Sequence, residues 1–187
     1  MSGRFAVHRT PIEGLVVLER RPMGDARGSL TRMFCARELE GLLGGAQVAQ
    51  ANFTKTAARG TVRGMHLQSP PHAEDKLVSC LRGRVWDVAV DLREGSPTFL
   101  RWHGELLDAE GNRSLLVPKG FAHGFQALTD DCELLYFCTA AHEPSAELGL
   151  DALDPAVGIE WPEPVTLRSP RDASHPPVGP GFRGVRA

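Results

Sequence analysis

Apolar and polar residues alternate in short runs along much of this chain. In "VWDVAVDL", residues 85–92, Trp86, Val88, Val90 and Leu92 form an apolar set, and the alternate set includes Asp87 and Asp91. Side chains two apart share one face of a strand, so this run predicts a half-buried strand. "LRGR" before it and "REGSP" after it supply turns. "SLLVP", "GFQALT" and "CELLYFCT" follow as further strands, divided by Pro118-Lys119-Gly120 and by Thr129-Asp130-Asp131. The best helical spacing is in "ARELEGLL", residues 36–43, which groups Leu39, Leu42 and Leu43 and is closed by Gly44-Gly45. Many short strands with glycine and proline turns predict an all-β sandwich or barrel. Beyond Glu160 the texture changes, with six of the 14 prolines between Pro162 and Pro180. This stretch reads as an irregular tail laid over the barrel.

Composition narrows the class. A chain of 187 residues with 42% apolar and 24% charged side chains has the profile of one ordinary soluble domain. A formal charge of -2 gives no reason to expect nucleic acid or an anionic membrane as partner. Cations for an anionic substrate must therefore be gathered locally. No opening apolar run suggests a signal peptide, and none approaches the roughly 18 residues that span a bilayer. Cys35, Cys80, Cys132 and Cys138 form no CxxC pair and lie mostly in apolar strand-like segments. They are expected as free thiols in a reducing cytoplasm.

The densest chemistry lies in "VRGMHLQSPPHAEDK", residues 62–76, which gathers Arg63, His66, His72 and Lys76. A barrel metal site wants two histidines one residue apart, a carboxylate shortly after, and a third histidine on a later strand. Here Gln68 stands where the second histidine should be, His72 follows Pro70-Pro71 in a loop, and "PKGFAHG" supplies His123. Two imidazoles without a nearby carboxylate make a poor cage, so no metal is expected. A proton-transfer site instead needs a base near neutral pKa, an orienting partner, an acid opposite and cations. His66 suits the base. Tyr136, the only tyrosine, shares a strand face with Cys132, Leu134 and Cys138, which aims its hydroxyl inward. Each also has a plainer reading: a strand histidine is more often structural, a buried phenol is usually a hydrogen-bonded core group, and Arg63 and Lys76 alone are solvated charges. Pattern alone leads to a β-barrel with a polar lumen and stops there.

Longer segments add a resemblance. "RGMHLQSPPHAEDKLV", "GRVWDVAVDLREGSPTF", "VPKGFAHGF", "ELLYFCT" and "DPAVGIEWP" resemble the dTDP-4-dehydrorhamnose 3,5-epimerase family. The likeness is dense from Arg63 to about Pro162 and thinner through "GDARG" and "SPRDA". It implies a cupin-type jelly-roll β-barrel, a single domain over residues 1–187 with its core at about 60–162, a short N-terminal helix and an irregular proline-rich C-terminal tail. It implies a cytoplasmic homodimer without cofactor or metal, acting on a dTDP-linked 4-keto-6-deoxyhexose. Inversion of C3, C5 or both would proceed through an enolate. By the same resemblance His66 is the base, Asp172 in "SPRDA" its carboxylate partner, Tyr136 the acid on the opposite face of the sugar, and Lys76 the lysine beside the keto oxygen. Arg63 and His123 match groups that hold diphosphate and sugar, and Arg171 helps with the diphosphate. Arg27 matches an arginine reaching the nucleotide from the partner subunit, and Gln50 and Asn52 match polar pocket residues.

Some residues depart from the family pattern. Arg32 stands where an acid is frequent, Phe53 where a histidine is common, and Phe137 where a basic residue is usual. Ala141-His142 replaces an aromatic pair, and Lys119 replaces a glutamate. These departures are expected to alter the walls around nucleotide and sugar, and they keep open a one-centre epimerase or a non-catalytic nucleotide-sugar-binding cupin.

Overall fold

The computed structural model describes residues 3–186. Strands β1 (Phe5–Arg9), β2 (Val16–Arg20), β3 (Met23–Asp25) and β4 (Gly28–Leu30) precede helix α1 (Ala36–Leu43). Next come β5 (Gln50–Thr56), β6 (Val62–Gln68), β7 (Lys76–Arg82), β8 (Arg84–Asp91) and β9 (Trp102–Asp108). β10 (Arg113–Val117), β11 (Phe121–Ala127), β12 (Cys132–Cys138) and β13 (Glu147–Gly149) complete the strands, and the tail carries helix α2 (Pro170–Ala173). One sheet runs β1-β2-β10-β7-β12-β5 and a second runs β13-β6-β11-β8-β9, while β3 and β4 pair as a separate hairpin. The two sheets enclose a core that includes Leu15, Val78, Val85, Leu107, Leu115 and Leu134. This is the all-β jelly-roll barrel that the sequence leads one to expect. Its sheets also draw on strands before residue 60.

Both outer faces are covered in part. Helix α1 lays Leu39 and Leu43 against Val16, Leu18, Leu77 and Leu116 of the first sheet. Burying each leucine is worth about 1.5–3 kcal/mol. Gly44 ends the helix in the left-handed region, as the Gly-Gly signal predicts, but Leu42 points outward and is exposed. On the second sheet, Val62, Met65, Leu67, Val88 and Val90 pack beneath Leu150, Ala152, Val157 and Trp161. The tail is fixed by backbone hydrogen bonds: Val62 donates to Leu167 at 2.9 Å, and Thr166 donates to Gly60 at 3.0 Å.

This double covering corrects the reading of β8. Expected as half-buried, it is buried on both faces, with Val85 and Ala89 in the barrel core and Val88 and Val90 beneath the tail. Asp87 and Asp91 are fully buried rather than solvated. Asp91 accepts from Arg93, Ser96 and Thr98. Burial would raise its pKa, but those donors outweigh it and hold the carboxyl at about 2.

All four cysteines are free. Cys80 and Cys138 are buried in strands, and burial pushes both thiols up to about 12, which makes them unreactive. Cys35 lies at the N-cap of α1, outside any strand. Among the described residues no helix is long and apolar enough to cross a membrane.

Candidate active site

Strict alternation would send Arg63 and His66 to opposite faces of β6, because they are three residues apart. The structure resolves this with a bulge. Phe125 of β11 pairs with Arg63 and His123 pairs with His66, so β6 carries one residue more than its partner between the two pairs. An extra residue reverses the parity of the strand beyond it. Arg63 and His66 therefore both face the cavity, while Met65 and Leu67 pack under the tail. Gly64 makes the bulge possible. Its φ is 117°, and a Cβ there would lie 2.7 Å from Gly124 Cα and 2.8 Å from the His123 carbonyl oxygen.

Helix α2 completes this wall. Pro170 occupies its first turn, and the Ser169 hydroxyl accepts from the Asp172 N–H at 3.0 Å. So capped, the turn delivers Asp172, which is buried, to β6. One carboxylate oxygen accepts from the Gly64 N–H at 3.1 Å, and the other lies 2.8 Å from His66 Nε2. Burial pushes Asp172 up, but the Gly64 and His66 contacts outweigh it and leave the carboxyl below its usual range. Burial lowers the His66 pKa below its ordinary value, with Asp172 opposing the shift and Arg171 and Lys76 adding to it. The result is a neutral imidazole oriented by an ionised carboxylate.

The facing sheet supplies the opposite wall. Tyr136 projects from β12 on the face of Cys132 and Leu134, packs against the core, and keeps its hydroxyl 3.1 Å from Thr54 Oγ1. Lys76 at the start of β7 is largely buried and lies 3.1 Å from Glu74, which is more buried still. His123 on β11 sits 3.0 Å from the buried Asp87. Glu74, Asp87 and Thr54 are thus the supports of the site that motif reading left out. Only Asp87 had a signal, since alternation sets it opposite the Trp86 face. Arg63 is anchored through Thr56 Oγ1 at 2.9 Å and the Lys55 carbonyl at 2.9 Å, and Arg171 pairs with Glu147 at 2.9 Å.

Most of these groups border two adjoining cavities. A cavity of about 600 Å³ is bordered by Arg63, His66, Lys76, His123, Tyr136 and Asp172. A second, of about 300 Å³, shares His66, Lys76, Tyr136 and Arg171 and is extended by Gln50 and Asn52. One expected site residue is not brought there in the single chain. Arg27 sits on the exposed β3–β4 hairpin, paired with Asp25 at 2.6 Å. Of the departures from the family pattern, His142 borders the second cavity. Phe137 instead packs on Phe34 outside the first sheet, Arg32 pairs with Glu38, and Phe53 is exposed. The walls are altered less than the sequence suggests, because alternation turns Phe137 away.

The sequence offers the two imidazoles no nearby carboxylate, but the fold supplies one. Asp172 arrives from the tail, and ligand-type atoms of His66, Asp172 and His175 lie within 4.8 Å of one another. A dication there would meet an existing positive charge, however. Arg171 places Nη2 3.3 Å from His66 Nε2 and Nε 3.6 Å from Asp172 Oδ1. Repulsion at that range disfavours a metal and suits an anionic ligand.

The family model described as dTDP-4-dehydrorhamnose 3,5-epimerase matches residues 9–179. A dTDP-4-dehydrorhamnose 3,5-epimerase of Shigella flexneri is 39% identical over 89% of this chain and 92% of its own length. A dTDP-4-dehydrorhamnose 3-epimerase of Streptomyces niveus is 38% identical over 86% of this chain and 78% of its own. The crystal structure of a dTDP-6-deoxy-D-glucose-3,5-epimerase from Legionella pneumophila, in complex with dTDP-4-keto-L-rhamnose, superposes with a TM-score of 0.85. It is 42% identical and covers 91% of both chains.

Proposed function

Because this chain belongs to the dTDP-4-dehydrorhamnose 3,5-epimerase family, we propose that its cavity takes a dTDP-linked 4-keto-6-deoxyhexose and that His66 starts the inversion by removing a proton beside the ketone. The chain is an isomerase, an epimerase of dTDP-sugars. One observation carries the assignment of roles: the His66–Asp172 pair and the Tyr136 hydroxyl border the same cavity from facing sheets. A planar enolate held between two walls can lose a proton to one and gain a proton from the other.

The chemistry follows from that placement. A proton α to a ketone leaves only if the developing enolate is stabilised. Lys76, steadied by Glu74, sets an ammonium where the negative charge on the keto oxygen grows. His66, with its pKa lowered, is neutral near pH 7 and able to accept the proton. Asp172 holds the ring and favours the imidazolium once it forms. Tyr136 then donates its hydroxyl proton to the opposite face of the same carbon, which inverts the centre. Arg63, Arg171 and His123 suit the diphosphate and the sugar, because a guanidinium fork donates two parallel hydrogen bonds to phosphate oxygens. Gln50 and Asn52 extend the pocket toward the nucleotide.

No cofactor or metal is assigned a step in this reading. The chain acts as one domain, in the cytoplasm, as a homodimer in which Arg27 on the exposed hairpin reaches the nucleotide in the partner's cavity. C3 is the centre inverted by both kinds of relative, and it is expected to exchange first. The test is incubation with dTDP-4-keto-6-deoxyglucose in deuterated water, with deuterium located carbon by carbon. Deuterium with inverted configuration at C3 and C5 supports the 3,5-epimerase. Label at C3 alone makes it a one-centre enzyme, and no label at either carbon overturns the reading.

A further inference from the structure

Each inversion leaves a proton on His66 and removes one from Tyr136. The pair must be reset before another centre can react, and substrate then fills the cavity between them. Resetting needs a way out for the His66 proton that does not cross the ligand. His175, four residues beyond Arg171, stands beside the dyad. Its ring meets the His66 ring edge-on at 5.6 Å between centroids, yet His175 borders neither of the cavities that expose His66.

A glycine shapes the slot for it. Gly149 of β13 pairs directly with His66 of β6, and a Cβ on Gly149 would lie 2.0–2.2 Å from three atoms of the His175 ring. Only the absence of a side chain at this register position lets the second imidazole reach the dyad. The His175 Nε2 atom is buried and makes no hydrogen bond to protein, although the residue as a whole is partly exposed. A buried imidazole nitrogen without a partner is costly unless it serves something. A His175 ring nitrogen lies within 4.8 Å of a His66 ring nitrogen, a span bridged by one water.

We propose that His175 is a proton relay that carries the abstracted proton from His66 to solvent behind the ligand. His66 imidazolium gives its proton through one water to the inner nitrogen of His175, whose outer nitrogen releases one to bulk water. His66 is left neutral, and tautomer exchange restores His175. The proton that reprotonates the Tyr136 oxygen also comes from water, so the cycle is balanced. The lowered pKa of His66 makes its imidazolium ready to release the proton.

The inference rests on His66 being the base, and the experiment separates the two. The first inversion on each enzyme molecule needs no reset, whereas the second inversion and every later turnover do. His175→Phe keeps a flat ring in the slot but carries no proton, and His175→Gln serves as a second variant. With enzyme in excess, both are expected to invert the first centre at the wild-type rate. In the steady state kcat should fall roughly 10-fold with KM unchanged. That is less than the ~10²–10⁴-fold lost with a direct acid or base, since water substitutes in part. Singly inverted sugar should accumulate, and added imidazole should restore kcat in proportion to its concentration. Wild-type steady-state turnover in both variants, or a loss that imidazole does not repair, overturns the relay. If His66→Asn retains first-centre inversion, the base assignment fails whatever His175 does.

Discussion

Asp172 acts on the base in two ways that can be measured apart. It accepts from the imidazole and so fixes which nitrogen is free, and its charge raises a pKa that burial has lowered. In wild type the acid limb of kcat/KM therefore lies below the ordinary histidine value of about 6.5. Asp172→Asn removes the raising influence while burial, Arg171 and Lys76 still act downward. The limb should move further toward low pH, and kcat should drop by about 10²-fold or more. A limb that stays in place or moves up would show that the pair is not coupled. On the facing wall, Tyr136→Phe should still exchange a sugar proton with solvent deuterium, with the original configuration kept. Inversion should fall by about 10²–10⁴-fold. Product stereochemistry read with deuterium content distinguishes the two events, and inversion at the wild-type rate would return Tyr136 to the core.

At the scale of elements, alternation found β8, β10, β11 and β12 but passed over β9, and helical spacing found α1. It also aimed Tyr136 correctly, because β12 alternates without interruption across the cavity. What it missed has a common cause, since periodicity describes an isolated element and not what later covers it. Nothing within "VWDVAVDL" shows that a segment seventy residues on will cover its apolar Val88 and Val90 face, which leaves the face of Asp87 and Asp91, read as solvent-facing, to line the barrel interior. The bulge in β6 is equally silent, because Gly64 fits a regular strand as easily as a kinked one. His66 and Lys76 were visible as chemistry through their clustering, but Asp172 came from family likeness alone, its neighbourhood being irregular. Gly64→Ala tests the bulge. The positive φ alone costs about 1–3 kcal/mol, which for a chain of this size lowers Tm by roughly 2–12 °C. Activity should fall further than stability, because any relaxation of the kink turns Arg63 or His66 out of the cavity. An unchanged Tm would mean that the strand does not bulge at Gly64.

At the scale of the whole molecule, the β3–β4 hairpin stands apart from both sheets, with Leu30 and Met23 exposed and Arg27 at its tip. A homodimer in which Arg27 serves the neighbouring cavity predicts complementation between two damaged chains. His66→Ala homodimers should be inactive, and Arg27→Ala homodimers should bind nucleotide sugar weakly. After the two are mixed and subunits exchange, heterodimers regain one site with both residues native, so activity per mole of His66 rises above that of Arg27→Ala alone. Additive activities at every mixing ratio would place Arg27 outside the partner's site.

The covering of the second sheet also sets an order in time. His66 and Asp172 are separated by 106 residues, and at ribosomal speed roughly 5–20 s pass between their syntheses. During that interval β6 can be made and paired, yet its apolar back is bare and its base has no carboxylate. The same segment later closes both gaps, because the residues that shield Val62 and Leu67 flank the turn that carries Asp172. A nascent or truncated chain is therefore sticky and inert together, so quality control that recognises exposed apolar surface removes the same molecules that could not have catalysed.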